Sequence, residues 1–452
     1  MEAELYLKRL AMAFAPYATL YAVGGYVRDR LIGCKTGDID VCSKLKVDEV
    51  KRILAGTDFF VSDKSLRMGT VHISCDGFTV EYTTFRTDSY NTESGNHSPQ
   101  QVRFTDDIVA DARRRDFKCN AVYYDIFQDK IVDILGGAED IKNRVITTAD
   151  AADTVFEADG LRILRLIRFA CELGFDIDEA TEKAAIKNAW RVKDIAAERV
   201  RDELCKIFTA DASQKGLNTV GAHLRGFRLL DKFGLIDLLL PEIGAMKGVQ
   251  QNKKYHIYDV YGHTVKAFEL APPKLRWAAL LHDVGKPAAL KKNDGANMHG
   301  HDEIGADIAR KILNRLKFSK ADIAWTVKIV RLHMIDIKGD MSFNKLRRFA
   351  VMNSDVIEDI CIMKDVDGEA TMGYVPAQNR VREAWQSVLN DGTPLTLKQL
   401  KINGSDVLQL GASGEDVGRI LNELWEDTIL NPSLNNRKNA LKYIERKANK
   451  QN

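Results

Sequence analysis

In Asp38-Ile39-Asp40 two carboxylates stand two residues apart, a spacing that on a β-strand turns both toward one face. Like charges on one face repel unless cations lie between them, and Mg²⁺ is the hard ion that takes carboxylates together with phosphate oxygens. Two such ions would activate an attacking hydroxyl and stabilise a leaving pyrophosphate. Just upstream, VGGYVRDRLIG ends a strand on Gly24-Gly25 and opens a helix. Backbone amides and the helix N-terminus are thereby offered to a triphosphate, and Arg28, one turn further on, supplies charge. Glu81 in VEYTTFR is a candidate third carboxylate. Arg114, Arg115, Asp116 and Asn120 follow in ADARRRDFKCNA, then Asp159, Arg162, Arg165 and Arg168 in EADGLRILRLIRFA. Arginines at steps of three lie along one side of a helix while Leu161, Leu164 and Phe169 pack inward, so a carboxylate and several guanidiniums face one cavity.

A second constellation runs through His263 in VYGHTV, His282-Asp283 in ALLHDVGKP, His299 and His301 in NMHGHDEIG, His333 in VRLHM and Asp365 in MKDVDG. Most of the chain's nine histidines gather here, which core packing does not require. An adjacent His-Asp pair on a helix, facing histidines on neighbouring helices, can ligate one or two divalent metals and leave positions open for water and phosphate.

The elements that must position these groups change character along the chain. Up to about residue 138 helical pieces mix with short β-rich runs, TLYAVGG, DIDVCS, TVHISCDGFTVEYTTF and NAVYYDIFQDKIVDIL, the last two reading as hairpins around Asp76-Gly77 and Gln128-Asp129. Thr87 to Arg103 reads as a loop. From residue 139 almost every window has helical periodicity, as in LRILRLIRFACELGF and ERVRDELCKIF. The 452 residues exceed what one core serves and divide into a head (1–138), neck (139–210), body (211–250), histidine-rich domain (251–372) and tail (373–452). The expected fold class is α+β, a small mixed sheet with helices followed by all-helical domains.

The N-terminal residues are amphipathic and lack the pattern of a signal peptide, and no window of about eighteen apolar residues occurs, so a cytoplasmic protein without a membrane span is expected. Seven cysteines are scattered without a CxxC pair, against a zinc ribbon or a disulfide framework. The run Arg437 to Lys450 carries six cationic residues against Glu445 alone and suits contact with phosphate.

GGYVRD with DID, RRDF with Asn120-Ala121, DILGGAEDI, ADGLRILRLIRF and ERVRDEL stand in an order that resembles the class II, bacterial-type tRNA nucleotidyltransferases, the CCA-adding enzymes and their poly(A) polymerase relatives. The resemblance covers nearly the whole chain. It implies a palm-like nucleotidyltransferase head in which Asp38 and Asp40 hold Mg²⁺, Gly24, Gly25 and Arg28 meet the triphosphate, and Arg114 contributes to nucleotide binding. It also implies that Asp159 and Arg162 read the incoming base of CTP or ATP, with Arg165 and Arg168 on nucleotide or primer phosphate. A carboxylate accepts from the exocyclic amine shared by C and A, and a guanidinium donates to ring nitrogen or carbonyl oxygen. Two positions depart from the family pattern: Ala158 stands where Glu is usual, and Lys118 where Thr is usual. The histidine-rich segment resembles the HD superfamily of metal-dependent phosphohydrolases. That implies ligand roles for His263, His282, Asp283 and Asp365, with His301 and His333 for a second divalent metal. The tail resembles the family's tRNA-holding region, so tRNA, ATP and CTP are the expected partners. A partial CC- or A-adding enzyme and a poly(A) polymerase are the nearest alternatives, and an HD phosphohydrolase with an RNA-binding head is the alternative of a different class.

Overall fold

A computed structural model describes residues 2–89, 101–213, 217, 219–252, 256–372, 379–412 and 414–448. The chain divides into two compact units, Met1–Gly244 with Arg315–Phe318, and Ala245–Asn314 with Ser319–Asn452. No described helix is long and apolar enough to cross a membrane. None of the seven cysteines is in a disulfide.

The first unit is built on a seven-stranded mixed sheet. Its strands are β1 (Tyr21–Val23), β2 (Asp40–Ser43), β3 (Phe60–Ser65), β4 (Thr70–Cys75), β5 (Phe78–Thr84), β8 (Val122–Asp125) and β9 (Lys130–Asp133), in the order β3-β4-β5-β2-β1-β8-β9. Between β5 and β8 in the chain, β6 (Arg86–Ser89) and β7 (Gln101–Phe104) form a separate antiparallel ribbon. Thr87 to Arg103 is therefore strand-paired at both ends rather than a loop throughout; the rest of that loop, 90–100, lies outside the described residues. Within the seven-stranded sheet only β2 and β5 pair in parallel, which sets Asp40 beside Glu81. The Asp76-Gly77 hairpin has φ of 51° and 81°, the left-handed pair that a two-residue turn between twisted strands requires.

Along β5 burial alternates with the pleat. Val80, Tyr82 and Thr84 are buried, and Phe14 of α1 (Glu2–Phe14) meets the Tyr82 ring at 5.7 Å, whereas Glu81 and Thr83 turn to the opposite face. The Tyr82 hydroxyl also bonds Ser43 of β2 at 2.7 Å, locking the parallel register from beneath.

Helices used below are α2 (Gly25–Ile32), α3 (Val47–Leu54), α4 (Ile108–Arg113), α5 (Gly137–Asn143), α6 (Ala152–Ala158), α7 (Leu161–Leu173), α8 (Glu179–Asn188) and α9 (Ala197–Phe208). The amphipathic reading of LRILRLIRFACELGF holds: Leu161, Ile163, Leu164, Leu166, Ile167 and Phe169 of α7 are buried, and Arg162, Arg165 and Arg168 fall on the other side. Apart from the short parallel pair Val145–Ile146 with Asp176–Ile177, the described chain beyond residue 139 is helical with turns, as expected.

Candidate active site and metal cluster

In the first unit a cavity of about 640 Å³ opens where Gly24, Gly25 and Arg28 of the β1–α2 turn, Asp40 of β2, the segment after α4 and the α7 arginines converge. Nine cationic side chains line it against five carboxylates, a surplus suited to a polyphosphate. Gly24 has φ 75°, and a Cβ there would sit 3.2 Å from Asp40 Oδ2, so both backbone angle and space demand glycine beside this carboxylate.

Asp40 opens β2, and Asp38 lies in the bend just before it instead of on the strand itself. Although solvent reaches Asp40 in the open cleft, the protein packed around it and then the Glu81 carboxylate push it up to about 6, with Asp38 adding to the effect. Glu81 is paired with Lys64 and lines a second cavity of about 190 Å³ that shares Asp40, Arg86, Arg114 and Arg115 with the first.

The expected arginines are fixed by partners. Arg28 is buried, donates from Nη1 to Asn120 Oδ1 at 2.7 Å and from Nε to Asp29 Oδ1 at 2.8 Å, and lies over Phe169. Arg165 grips Asp116 with Nε and Nη2 at 2.8 and 2.6 Å. Burial opposes ionisation of Asp116, but Arg165 and Asn120 hold it well below the usual carboxylate range. Arg168 pairs with Glu203 of α9 at 2.8 Å. Phe169 forms the shared floor, with the Arg28, Arg165 and Arg168 guanidiniums 5.0, 5.2 and 4.4 Å from its ring. Arg114 is held by Asp111 at 2.7 Å.

Asp159 follows α6, just where Ala158 replaces the expected Glu, and both Asp159 and Arg162 line the main cavity. Asp159 Oδ1 accepts from the Leu161 amide at 3.0 Å, while Oδ2 meets Arg199 of α9 at 3.2 Å. Arg162 donates to the Arg114 carbonyl at 2.8 Å. Arg86, Asp88 and Arg199 line this cavity without having been singled out in the sequence. Arg199 stood in ERVRDEL, whose role was read only as part of a motif; Arg86 and Asp88 carried no signal beyond their place after VEYTTF.

In the second unit the histidines converge from separate helices. His263 lies in Val260–Leu270, His282 ends Arg276–Leu281, His301 opens His301–Arg315, and His333 ends Lys320–Leu332. His282, His301 and His333 each place Nδ1 against the carbonyl three residues earlier, at 2.7, 3.0 and 2.6 Å, which orients Nε2 inward. Two ligand groups result, His263–His282–Asp367 and Asp283–His301–His333. Asp283 joins them: Oδ2 lies 3.4 and 3.3 Å from His263 and His282, and Oδ1 lies 3.3 and 3.9 Å from His301 and His333. Lys286 Nζ sits 2.5 Å from Asp283.

The acid that the helix Ile357–Met372 brings to the cluster is Asp367 and not Asp365. Asp367 Oδ1 is 3.0 Å from His263 Nε2, whereas Asp365 accepts from Asn379 at 2.9 Å and pairs with Arg382. Positions two apart on a helix are separated by about 200°, so only one of the two acids faces the cluster. His299 is exposed and belongs to neither group. Burial opposes charging of His282, but Asp283 and Asp367 overcome it and push the ring up to about 10, while burial and then His282 push His333 down to about 4.

Residues 20–147 match the family profile described as the poly A polymerase head domain, 174–246 the probable RNA and SrmB-binding site of polymerase A, and 254–368 the HD domain. The A-adding tRNA nucleotidyltransferase of Deinococcus radiodurans is 30% identical over 446 residues, covering 92% of each chain. The CC-adding tRNA nucleotidyltransferase of Thermus thermophilus is 29% identical over 426 residues, covering 90% of this chain and 88% of the relative. The fold matches the crystal structure of the Bacillus stearothermophilus CCA-adding enzyme in complex with CTP, with TM-score 0.71 and 23% identity over 100% of this chain and 99% of that one. Thirty per cent identity to a relative over 92% of both chains, together with the head and HD matches, shows that the chain belongs to the bacterial-type tRNA nucleotidyltransferases, enzymes of nucleotide transfer, and carries an HD domain.

Proposed function

We propose that the chain completes tRNA 3′ ends by adding C, C and A from CTP and ATP without a nucleic-acid template. The observation that carries this reading is one cavity holding Asp40, the arginine-rich wall and the Asp159–Arg162 pair together. Asp38 and Asp40 would hold Mg²⁺, with Glu81 alongside; the donors are hard oxygens, and beyond burial the Glu81 and Asp38 carboxylates push Asp40 up, negative charge that a cation would balance. Bound there, two ions would lower the barrier to attack by the 3′-hydroxyl and stabilise the pyrophosphate. The chain's own groups do the rest. Gly24 and Gly25 bring the N-terminus of α2 to the triphosphate, and Arg114, Arg165 and Arg168 add charge. Asp159 accepts from the exocyclic amine common to C and A, and Arg162 donates to the neighbouring edge; UTP and GTP present carbonyls to Asp159.

The test is labelled CTP and ATP on matched tRNAs ending before CCA, after C and after CC. Two CMP and one AMP are expected in sequence. Incorporation of CMP alone or AMP alone would replace this reading with a CC-adding or A-adding enzyme, and untemplated AMP runs with a poly(A) polymerase.

A second reading concerns the HD cluster, because a carboxylate shared between two His-rich groups is a donor set for a pair of divalent ions. The residues that would hold them are His263, His282, Asp283 and Asp367 on one side and Asp283, His301 and His333 on the other. The expected activity is metal-dependent phosphomonoester or phosphodiester hydrolysis, lost in His282→Ala while transfer persists. No hydrolysis by the parent with any divalent metal would refute it.

A further inference from the structure

Trp190 is 54% exposed, far more than an indole in a folded unit normally tolerates. It stands on the 3-10 turn Ala189–Asp194, between α8 and α9. The Arg191 guanidinium lies 4.7 Å from its ring, covering one side. Arg191 is preset there, since its Nε donates to Asn188 Oδ1 at 3.1 Å and buried Asn188 is itself tied to Asp153 at 2.9 Å. The turn presses against the base-reading segment: a Cβ on Gly160 would meet the Arg191 carbonyl at 3.0 Å, and Gly160 separates Asp159 from Leu161, both of which line the cavity. From the same turn the chain enters α9, where Arg199 holds Asp159.

An exposed indole backed by a guanidinium, with exposed Lys193 on the same turn, has the chemistry of a shelf for an unpaired nucleobase. Every base has a π-face, so such a shelf is indifferent to sequence and suits the single strand at an RNA end. We propose that Trp190 and Arg191 stack an unpaired base of the RNA strand whose 3′ end enters the cavity, so that the primer is gripped one step away from where the incoming nucleotide is read. This inference rests on the transferase reading and deepens it by assigning part of the primer site.

Of the chain's five tryptophans, Trp190 alone lies in the first unit, so its emission can be isolated by comparing the parent with Trp190→Phe. The experiment titrates both with tRNA ending before CCA, and measures KM for that tRNA and for CTP in the parent, Trp190→Ala and Trp190→Phe. The expected result is quenching in the parent that is missing in Trp190→Phe, and a KM for tRNA raised roughly tenfold in Trp190→Ala and partly restored in Trp190→Phe. KM for CTP should stay parental. A parental KM for tRNA in Trp190→Ala, or equal quenching in the parent and Trp190→Phe, overturns the shelf while leaving the transferase reading intact. A parent that extends no tRNA overturns that reading, and the shelf with it.

Discussion

Asp40 stands at the rim of an open, arginine-lined cleft, while Asp283 is sealed among four histidines of a helical unit. Both places crowd charge that a divalent cation would balance, but they hold it differently. In the cleft the carboxylates come from adjacent strands, and most supporting arginines are pinned by acids of their own, such as Arg165 on Asp116 and Arg168 on Glu203. In the cluster the donors come from separate helices, and three histidines are each aimed by the carbonyl three residues earlier in the chain. An open site with a cationic wall suits a substrate that arrives and leaves with many charges. A closed site with rigid ligands suits a resident metal.

Asp40→Ala should cut nucleotide incorporation by at least about 1,000-fold, or about 4 kcal/mol of barrier, while hydrolysis at the HD cluster stays parental. His282→Ala should do the reverse. Parallel loss of both activities in either variant would show that the two sites do not work independently. Next in size, Asp367→Ala should weaken metal retention by the second unit about 100-fold, and Asp365→Ala should leave it unchanged, as measured by bound Mn²⁺ after dialysis. The opposite ranking would place the ligand on the Arg382-paired acid.

That pair of aspartates also shows where the sequence stops being informative. Strand register is read with a period of two, so the DID spacing and the Asp76-Gly77 turn located the cleft's carboxylates and the hairpin beside them. Even there the strand starts at Asp40, leaving Asp38 in the preceding bend, because β1 pairs only as far as Val23 opposite Asp40. On a helix, MKDVDG offers two acids two positions apart, and choosing between them needs the rotation of the helix about its axis, which the packing against Val260–Leu270 decides. Arg199 and Arg86 were hidden for another reason: each reaches the cavity from an element distant in sequence, and no local pattern marks the direction of a lone arginine. Likewise the β6–β7 ribbon is polar and short, and its pairing depends on partners more than ten residues apart.

Smaller effects separate the supporting networks. Asp111 is fully buried and accepts from Arg114, Arg115 and the Tyr123 hydroxyl at 2.8, 3.0 and 2.7 Å. Burial raises its pKa, yet the two guanidiniums dominate and bring it down to about 2. A carboxyl depressed in the native state contributes stability above its unfolded pKa near 4, and loses it as pH falls through about 2. The loss should be on the order of 2 kcal/mol for the first unit, read from the urea midpoint of Trp190 emission between pH 5 and pH 2. In Asp111→Asn the same unit should be weaker at neutral pH but less steeply acid-sensitive. An unchanged slope would assign the acid lability to other carboxylates.

The smallest expected change tests how much the open site depends on its outer support. Arg199 is 44% exposed and meets Asp159 Oδ2 at 3.2 Å, and exposed ion pairs contribute only about 1 kcal/mol or less. The Leu161 amide still holds Asp159 Oδ1 when Arg199 is removed, so the carboxylate keeps that hold and loses the one from Arg199. Arg199→Ala should therefore raise KM for both CTP and ATP about three- to tenfold and relax discrimination against UTP by a similar factor, with the KM for tRNA unaffected. A wholesale loss of incorporation would mean that the cleft is as rigidly keyed as the histidine cluster. Parental discrimination would mean that Asp159 is fixed without Arg199, and that the charge on Arg199 serves the phosphates instead.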